Sequence, residues 1–140
     1  KNDIINLNNF MINNNSAIGT LAAKLKDDAM LENENVVKVF TEKEIVNDNF
    51  PLAINFSRKS MPSSNLNVYH HIGIYSYKTN ILEKFIDLDQ TINEKKNRLE
   101  QLRALDNNIK INVALAKYSP IGVDTEEDYL AIKKIMEYKS

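Results

Sequence analysis

The stretch that decides the fold is Val68-Tyr69-His70-His71-Ile72-Gly73-Ile74-Tyr75-Ser76-Tyr77. Its β-branched and aromatic side chains predict a long strand. Side chains alternate across a strand, so the odd-numbered residues from His71 to Tyr77 are predicted to share one face. Ile72 and Ile74 are predicted to point the other way. The stretch therefore predicts a strand with one polar, aromatic face and one apolar face.

Helices and strands alternate on the C-terminal side of this strand. The pattern predicts a helix over 79–88, a helix over 94–106, a strand over 109–116 and a helix over 125–138. Within the second helix, Leu99, Leu102 and Leu105 recur at every third residue. Thr125 is placed to cap the last helix, with Asp128 in the position of a capping-box acid.

Strands dominate the N-terminal side. The pattern there predicts a helix over 2–14, strands over 17–25, 36–41 and 52–56, a loop or short helix over 26–35 and a loop over 61–67. Together the two sides predict an α/β fold, a mixed sheet with flanking helices. The absence of repeats and low-complexity linkers predicts one domain over residues 1–140.

Composition excludes several classes of protein. The 140 residues are 43% hydrophobic and carry a net charge of -1, which gives a core but no basic footprint for nucleic acid. The chain has no cysteine, so disulfides and thiolate chemistry are excluded. No membrane span or signal-peptide pattern is present, and we expect a soluble, cytoplasmic protein. The first residue is Lys instead of Met, from which we expect a truncated chain.

The polar face of the predicted strand is the first candidate site. Gly73 is expected to leave a gap between His71 and Tyr75 in which a small polar ligand approaches the backbone. An imidazole and a phenol on such a face suit a hydroxylated acid sugar. The alternative is an ordinary strand with an apolar face in the core and a half-exposed polar face.

Leu99-Glu100-Gln101-Leu102-Arg103 is the second candidate. On a helix, Glu100 and Arg103 lie three residues apart and can form a surface ion pair. Alternatively, Glu100 and Gln101 hydrogen-bond to sugar hydroxyls at the edge of the helix. Periodicity leaves both interpretations open.

Two further residues could bind anions or metals. Asp124 lies between a predicted strand and a predicted helix, where a carboxylate can coordinate Mg²⁺ or merely cap the helix. Arg58 follows the strand over 52–56 and could clamp a carboxylate or phosphate, or simply be exposed.

These segments together resemble one family. The matching segments, in the family's order, are Gly19-Thr20-Leu21-Ala22, Asn35-Val36-Val37-Lys38-Val39, Phe56-Ser57-Arg58, His71-Ile72-Gly73-Ile74-Tyr75, Leu99-Glu100-Gln101-Leu102-Arg103 and Gly122-Val123-Asp124-Thr125-Glu126-Glu127-Asp128. The pattern resembles the C-terminal half of 3-deoxy-manno-octulosonate cytidylyltransferases, the CMP-Kdo synthetases. The resemblance implies the C-terminal part of a nucleotide-diphospho-sugar transferase (Rossmann-like) fold.

The resemblance also implies a reaction and a set of roles. The anomeric hydroxyl of Kdo would attack the α-phosphorus of CTP, giving CMP-Kdo for lipopolysaccharide and releasing pyrophosphate. The resemblance assigns Kdo contacts to Arg58, His71, Tyr75, Glu100 and Gln101. Asp124 would be one of two carboxylates that hold the catalytic Mg²⁺, and the family's homodimer contact would involve this half.

The family's CTP-binding half has no counterpart in the sequence, which contains no Gly-rich phosphate loop. We therefore expect this chain to be inactive alone. Two alternatives stay open: a non-catalytic remnant that binds sugar or dimerises, and a cytidylyltransferase for another acidic sugar.

Overall fold

The computed structural model of the chain describes residues 2–60 and 67–117, together with Leu130, Lys133, Lys134, Met136 and Glu137. The helices and strands of residues 2–117 are, in order, α1 (Asn2–Asn14), β1 (Ile18–Ala23), α2 (Asp28–Glu32), β2 (Lys38–Thr41), β3 (Ala53–Ser57), β4 (Asn67–Tyr77), α3 (Thr79–Ile86), α4 (Ile92–Asn97), α5 (Leu102–Asp106) and β5 (Ile111–Leu115).

The strands form one mixed sheet in the order β3-β2-β4-β1-β5. β1 runs parallel to β5 and antiparallel to β4, while β2 is antiparallel to both β3 and β4. The predicted α/β class with a mixed sheet is confirmed. The long strand predicted over 68–77 is β4, and it lies at the centre of this sheet.

Helices pack on both faces of the sheet. On one face Leu7 of α1 packs in a cluster with Leu21 of β1. On the other face Phe85 of α3 and Leu102 of α5 pack in a cluster with Val113 of β5. Because helices cover both faces, all six residues of β1 are buried, which explains its nearly continuous run of apolar and small residues.

The prediction of a single helix over 94–106 is wrong. Thr91 and Glu94 start α4 with a capping box, but Arg98 ends it with φ 54° and ψ 45°, in the left-handed region. The chain then turns through residues 99–101 before α5 begins. Leu99 and Leu102 are both buried, so the three-residue leucine spacing marks a corner packed on the core instead of one continuous helix face.

The strand predicted over 109–116 is shorter, Ile111–Leu115, and it is covered on both faces. Val113 and Ala114 are neighbours on opposite faces of β5, and both are fully buried. The segment that precedes β3 covers part of the same strand, since Val113 N donates to Pro51 O at 2.8 Å. Burial on both faces follows from this cover and from the helices on either side.

Two predicted segments lie largely outside the described residues: the loop over 61–67 and the helix over 125–138, with Thr125 and Asp128. Asn67 is the first residue of β4, and the five described residues between 130 and 137 are helical. Among all the described residues, no helix has the length and apolar character needed to cross a membrane.

Candidate functional site

A row of aromatic rings runs along one face of β4. The ring centroids of His71 and Tyr75 are 5.4 Å apart, and those of Tyr75 and Tyr77 are 6.0 Å apart. Phe56 of β3 meets His71 edge-on at 5.0 Å, and Phe85 of α3 lies 6.0 Å from Tyr77. The predicted shared face of His71, Tyr75 and Tyr77 is confirmed.

A bulge in β4 brings His71 and Tyr75 together. Thr20 of β1 pairs with Tyr75, whereas the next residue, Leu21, pairs with Ile72. Gly73 and Ile74 are thus two extra residues in β4, and an even insertion keeps the flanking side chains on the same face. The predicted open space at Gly73 is present, because an added Cβ there would meet nothing within 4 Å. It does not separate the rings of His71 and Tyr75, whose centroids are 5.4 Å apart across the bulge.

Thr20 fills the inner side of this bulge. Its Oγ1 lies 2.7 Å from Ile74 O, 3.3 Å from Ile72 O and 3.0 Å from Nε2 of His71. Thr20 is fully buried, and the sequence reasoning assigned it no role. A lone hydroxyl within an otherwise apolar or small run, Ile18 to Ala23, is the signal that could have identified it.

The aromatic row is electrically neutral near pH 7. Burial, together with the neighbouring His70, lowers the pKa of His71 to about 4. Burial raises the pKa of Tyr75, and the nearby Tyr77 and Glu100 raise it further. Burial and Glu100 also raise the pKa of Tyr77. The row therefore offers hydrogen-bonding groups without charge, which suits sugar hydroxyls.

Glu100 lies close enough to Tyr75 and Tyr77 for its carboxylate to raise the pKa of both. It is exposed and belongs to the turn between α4 and α5, and Gln101 is the half-buried residue that precedes α5. The surface ion pair between Glu100 and Arg103, one of the two interpretations left open by the sequence, is not formed. Arg103 pairs instead with Glu94 of α4, at 2.6 Å between Nη2 and Oε2.

Arg58 follows β3 directly, and its side chain reaches the backbone where α4 ends. Its Nη2 lies 3.5 Å from Arg98 O, and its Nη1 lies 3.5 Å from Glu34 O. The buried Lys38 anchors this arginine, because its Nζ donates to Arg58 O at 2.5 Å and to Asn33 O at 2.6 Å. The sequence reasoning gave no role to Lys38, although a lysine within the β-branched run 36–41 was the available signal.

Asp124 lies outside the described residues. Among the residues that the structure does describe, no three His, Cys, Asp or Glu side chains are grouped as a metal ion would require. His71 and Tyr75 are in ring contact, and Glu100 acts electrostatically on Tyr75. Arg58 reaches the backbone of Arg98, two residues before Glu100, and Gln101 follows Glu100. Arg58, His71, Tyr75, Glu100 and Gln101 are called the polar row below.

The cytidylyltransferase family model matches residues 3–111. The chain therefore belongs to the cytidylyltransferase family.

Within that family, the chain is similar to enzymes named 3-deoxy-manno-octulosonate cytidylyltransferase. It is 37% identical to the one from Bartonella bacilliformis over 135 residues, which are 96% of this chain and 55% of the relative. It is 38% identical to the one from Thermodesulfovibrio yellowstonii over 146 residues, 97% of this chain and 55% of that relative. The chain thus spans about half the length of the curated relatives it matches.

The fold is also similar to a solved one. The structure of CMP:2-keto-3-deoxy-manno-octonic acid synthetase complexed with CTP matches with a TM-score of 0.81 and 23% identity, over 99% of this chain and 57% of that chain. This likeness confirms the expected nucleotide-sugar transferase type of α/β fold.

Proposed function

We propose that residues 1–140 are the C-terminal, sugar-binding portion of a CTP-dependent cytidylyltransferase that activates Kdo. The supporting observation is the ring contact of His71 with Tyr75, with Glu100 acting on Tyr75 and Arg58 reaching the turn before Glu100. The chain that carries them is 37% identical to a Kdo cytidylyltransferase over 96% of its length. Each of the four side chains has a chemistry that suits one part of an acidic sugar.

In this proposal the opposite charges of Arg58 and Glu100 orient the sugar. A guanidinium binds a carboxylate through two parallel hydrogen bonds, so Arg58 takes the carboxylate of Kdo. Glu100 would repel that carboxylate and accepts hydrogen bonds from hydroxyls instead. The neutral His71 and Tyr75 bind the hydroxyls of the ring, while Gln101 adds an amide beside Glu100.

In the whole enzyme, the anomeric hydroxyl of the bound Kdo attacks the α-phosphorus of CTP, and the bond to pyrophosphate breaks. CMP-Kdo, a precursor of lipopolysaccharide, is the product. In this proposal Asp124 supplies one of two carboxylates for Mg²⁺, which neutralises phosphate charge when bound. The polar row holds and orients the sugar without taking part in bond breaking.

The CTP-binding half lies outside these residues in this proposal. One edge of β4 pairs with β1, and the other edge pairs with β2 only at residues 67–70. On that second edge, Ile72 to Tyr77 have no strand partner among the described residues. An unpaired central edge can accept a strand from the N-terminal half. We place the assembled enzyme in the cytoplasm as a homodimer that binds no nucleic acid.

Isothermal titration of the chain with Kdo tests the sugar site. We expect binding that weakens by about tenfold or more in Arg58→Ala, the loss typical of a charge-assisted hydrogen bond, and is unchanged in the exposed Lys59→Ala. A second acidic sugar, N-acetylneuraminate, is expected to bind more weakly. Tighter binding of N-acetylneuraminate would favour a cytidylyltransferase for another acidic sugar, and binding unaffected by Arg58→Ala would contradict the proposed site.

A further inference from the structure

The hydrogen bonds of Thr20 determine which nitrogen of His71 carries the proton. The Thr20 hydroxyl has one proton and lies close to three groups. Two of these are carbonyl oxygens, which can only accept, and Ile74 O at 2.7 Å is the closer. The hydroxyl therefore donates to Ile74 O, and its oxygen accepts a hydrogen bond from Nε2 of His71 at 3.0 Å.

A neutral imidazole has one N–H and one bare nitrogen. With the proton on Nε2, Nδ1 of His71 holds a lone pair. Among the described residues, Thr20 is the one protein partner of this ring that forms a hydrogen bond, and it uses Nε2. Nδ1 is thus left as an acceptor for a group outside the described residues.

We propose that Thr20 is a positioning residue that fixes His71 with its proton on Nε2, so that Nδ1 accepts a hydrogen bond from a hydroxyl of the bound sugar. This inference rests on the proposed sugar site and adds which part of the sugar the histidine recognises. A carboxylate oxygen can only accept, so a bare Nδ1 repels it. His71 therefore selects a hydroxyl, and the acid group is left to Arg58.

The surroundings of the ring support this assignment. His71 is 8% exposed and lies between the rings of Phe56 and Tyr75, which restrict its rotation. The neighbouring His70 disfavours a second proton on the imidazole. Tyr75 contacts the ring but carries no charge near pH 7. Rotation of the ring by 180° would place carbon atoms against the Thr20 hydroxyl, so the orientation is also fixed.

Nitrogen-15 NMR of the histidine rings tests the tautomer in the chain without any ligand. We expect the signals of His71 at pH 7 to show a protonated Nε2 and a bare Nδ1. Thr20→Ser keeps the hydroxyl and is expected to keep this pattern, whereas Thr20→Val is expected to give a mixture of tautomers. A bare Nε2 or a doubly protonated ring in the unmodified chain would overturn the proposal, and that measurement does not depend on any variant folding.

Addition of Kdo tests the ligand half of the proposal. We expect the Nδ1 signal to move toward that of a hydrogen-bonded acceptor while the ring stays neutral, and Thr20→Val to weaken Kdo binding by about tenfold, near the value of one hydrogen bond. Uptake of a second proton on binding would show that His71 faces the carboxylate and would overturn the proposal. If the addition of Kdo moves no histidine signal at all, that result contradicts the proposed sugar site. The tautomer measured without ligand still tests the role of Thr20 separately.

Discussion

Arg103 and Glu94 form a two-point ion pair that joins α4 to α5 across the break at Arg98. Nε of Arg103 donates to Oε1 of Glu94 at 2.8 Å, and Nη2 donates to Oε2 at 2.6 Å. Both side chains are largely buried, and the guanidinium also lies 5.0 Å from the centroid of the Phe85 ring. Arg103 is thus held by Glu94, while the carboxylate of Glu100 acts on Tyr75 and Tyr77.

Glu94→Gln is expected to destabilise the chain by about 3 kcal/mol, since it leaves a buried guanidinium without its charge partner. Hydrogen bonding to Arg103 also keeps the pKa of Glu94 below its ordinary value, so the native pair is charged at pH 7. Urea unfolding followed by circular dichroism measures the loss. Glu83→Gln on the exposed side of α3 is the matched control, and equal stability of the two variants would contradict a structural role for the pair.

Gly19→Ala and Gly73→Ala form a matched pair with opposite expected results. At Gly19 an added Cβ would lie 2.5 Å from Met11 Sδ, 2.9 Å from Phe50 Cζ and 3.0 Å from Leu7 Cδ1, so α1 must shift away from β1. We expect a loss of roughly 1–3 kcal/mol. At Gly73 nothing lies within 4 Å and the φ angle is not positive, so thermal unfolding should change little. A larger loss for Gly73→Ala would contradict the open space described at the bulge.

His71 makes the stability of the chain depend on pH. Its pKa is about 4 in the fold against an ordinary 6.5, so the unfolded chain binds a proton that the folded chain excludes. The free energy of unfolding should therefore be greatest above pH 6.5 and fall between pH 6.5 and 4, by about 3 kcal/mol at pH 4 from this residue. Chemical unfolding at several pH values, compared with His71→Gln, isolates the effect because the carboxylates are common to both proteins. Parallel curves for the two proteins would contradict burial of a neutral imidazole.

Lys38→Met should weaken both the fold and the sugar site. Its ammonium group joins Asn33 O to Arg58 O beneath the end of β3, and removal leaves two carbonyls without this donor. We expect a loss of roughly 1–3 kcal/mol in unfolding free energy and weaker Kdo binding, because Arg58 loses its anchor. Lys59→Met, one residue beyond Arg58 and exposed, is the control for the removal of a positive charge. Unchanged Kdo binding in a folded Lys38→Met variant would contradict the anchoring role.

The shared face of β4 was predictable because strand alternation is local, and because a two-residue bulge preserves it. The pairing of Arg103 with Glu94 instead of Glu100 was not predictable, since the three-residue rule assumes a continuous helix. Arg98 breaks that helix in a left-handed conformation that glycine usually adopts. Because an arginine stands there instead of a glycine, the residue type did not predict the break.

The roles of Thr20 and Lys38 depend on backbone carbonyls that lie far along the chain. Thr20 binds the carbonyls of a bulge 52 and 54 residues away, and Lys38 binds Arg58 O 20 residues away. A sequence pattern reports which side chains carry polar atoms but not which distant carbonyls face them. The roles of these buried polar residues therefore follow from the structure and not from the sequence pattern.

Mixing this chain with the N-terminal half of the Bartonella bacilliformis relative tests the division of the active site. We expect no pyrophosphate release from CTP and Kdo by the chain alone and measurable release when both halves are present, because the nucleotide and the sugar are then bound by different halves. Ile74→Lys places a charge on the unpaired edge of β4, where it opposes strand addition, and should reduce assembly measured by gel filtration. Ile86→Lys on α3 is the control, since Ile86 is also an exposed isoleucine but belongs to a helix. Turnover by the chain alone would contradict the expectation of an incomplete site, and assembly unaffected by Ile74→Lys would show that the other half binds elsewhere.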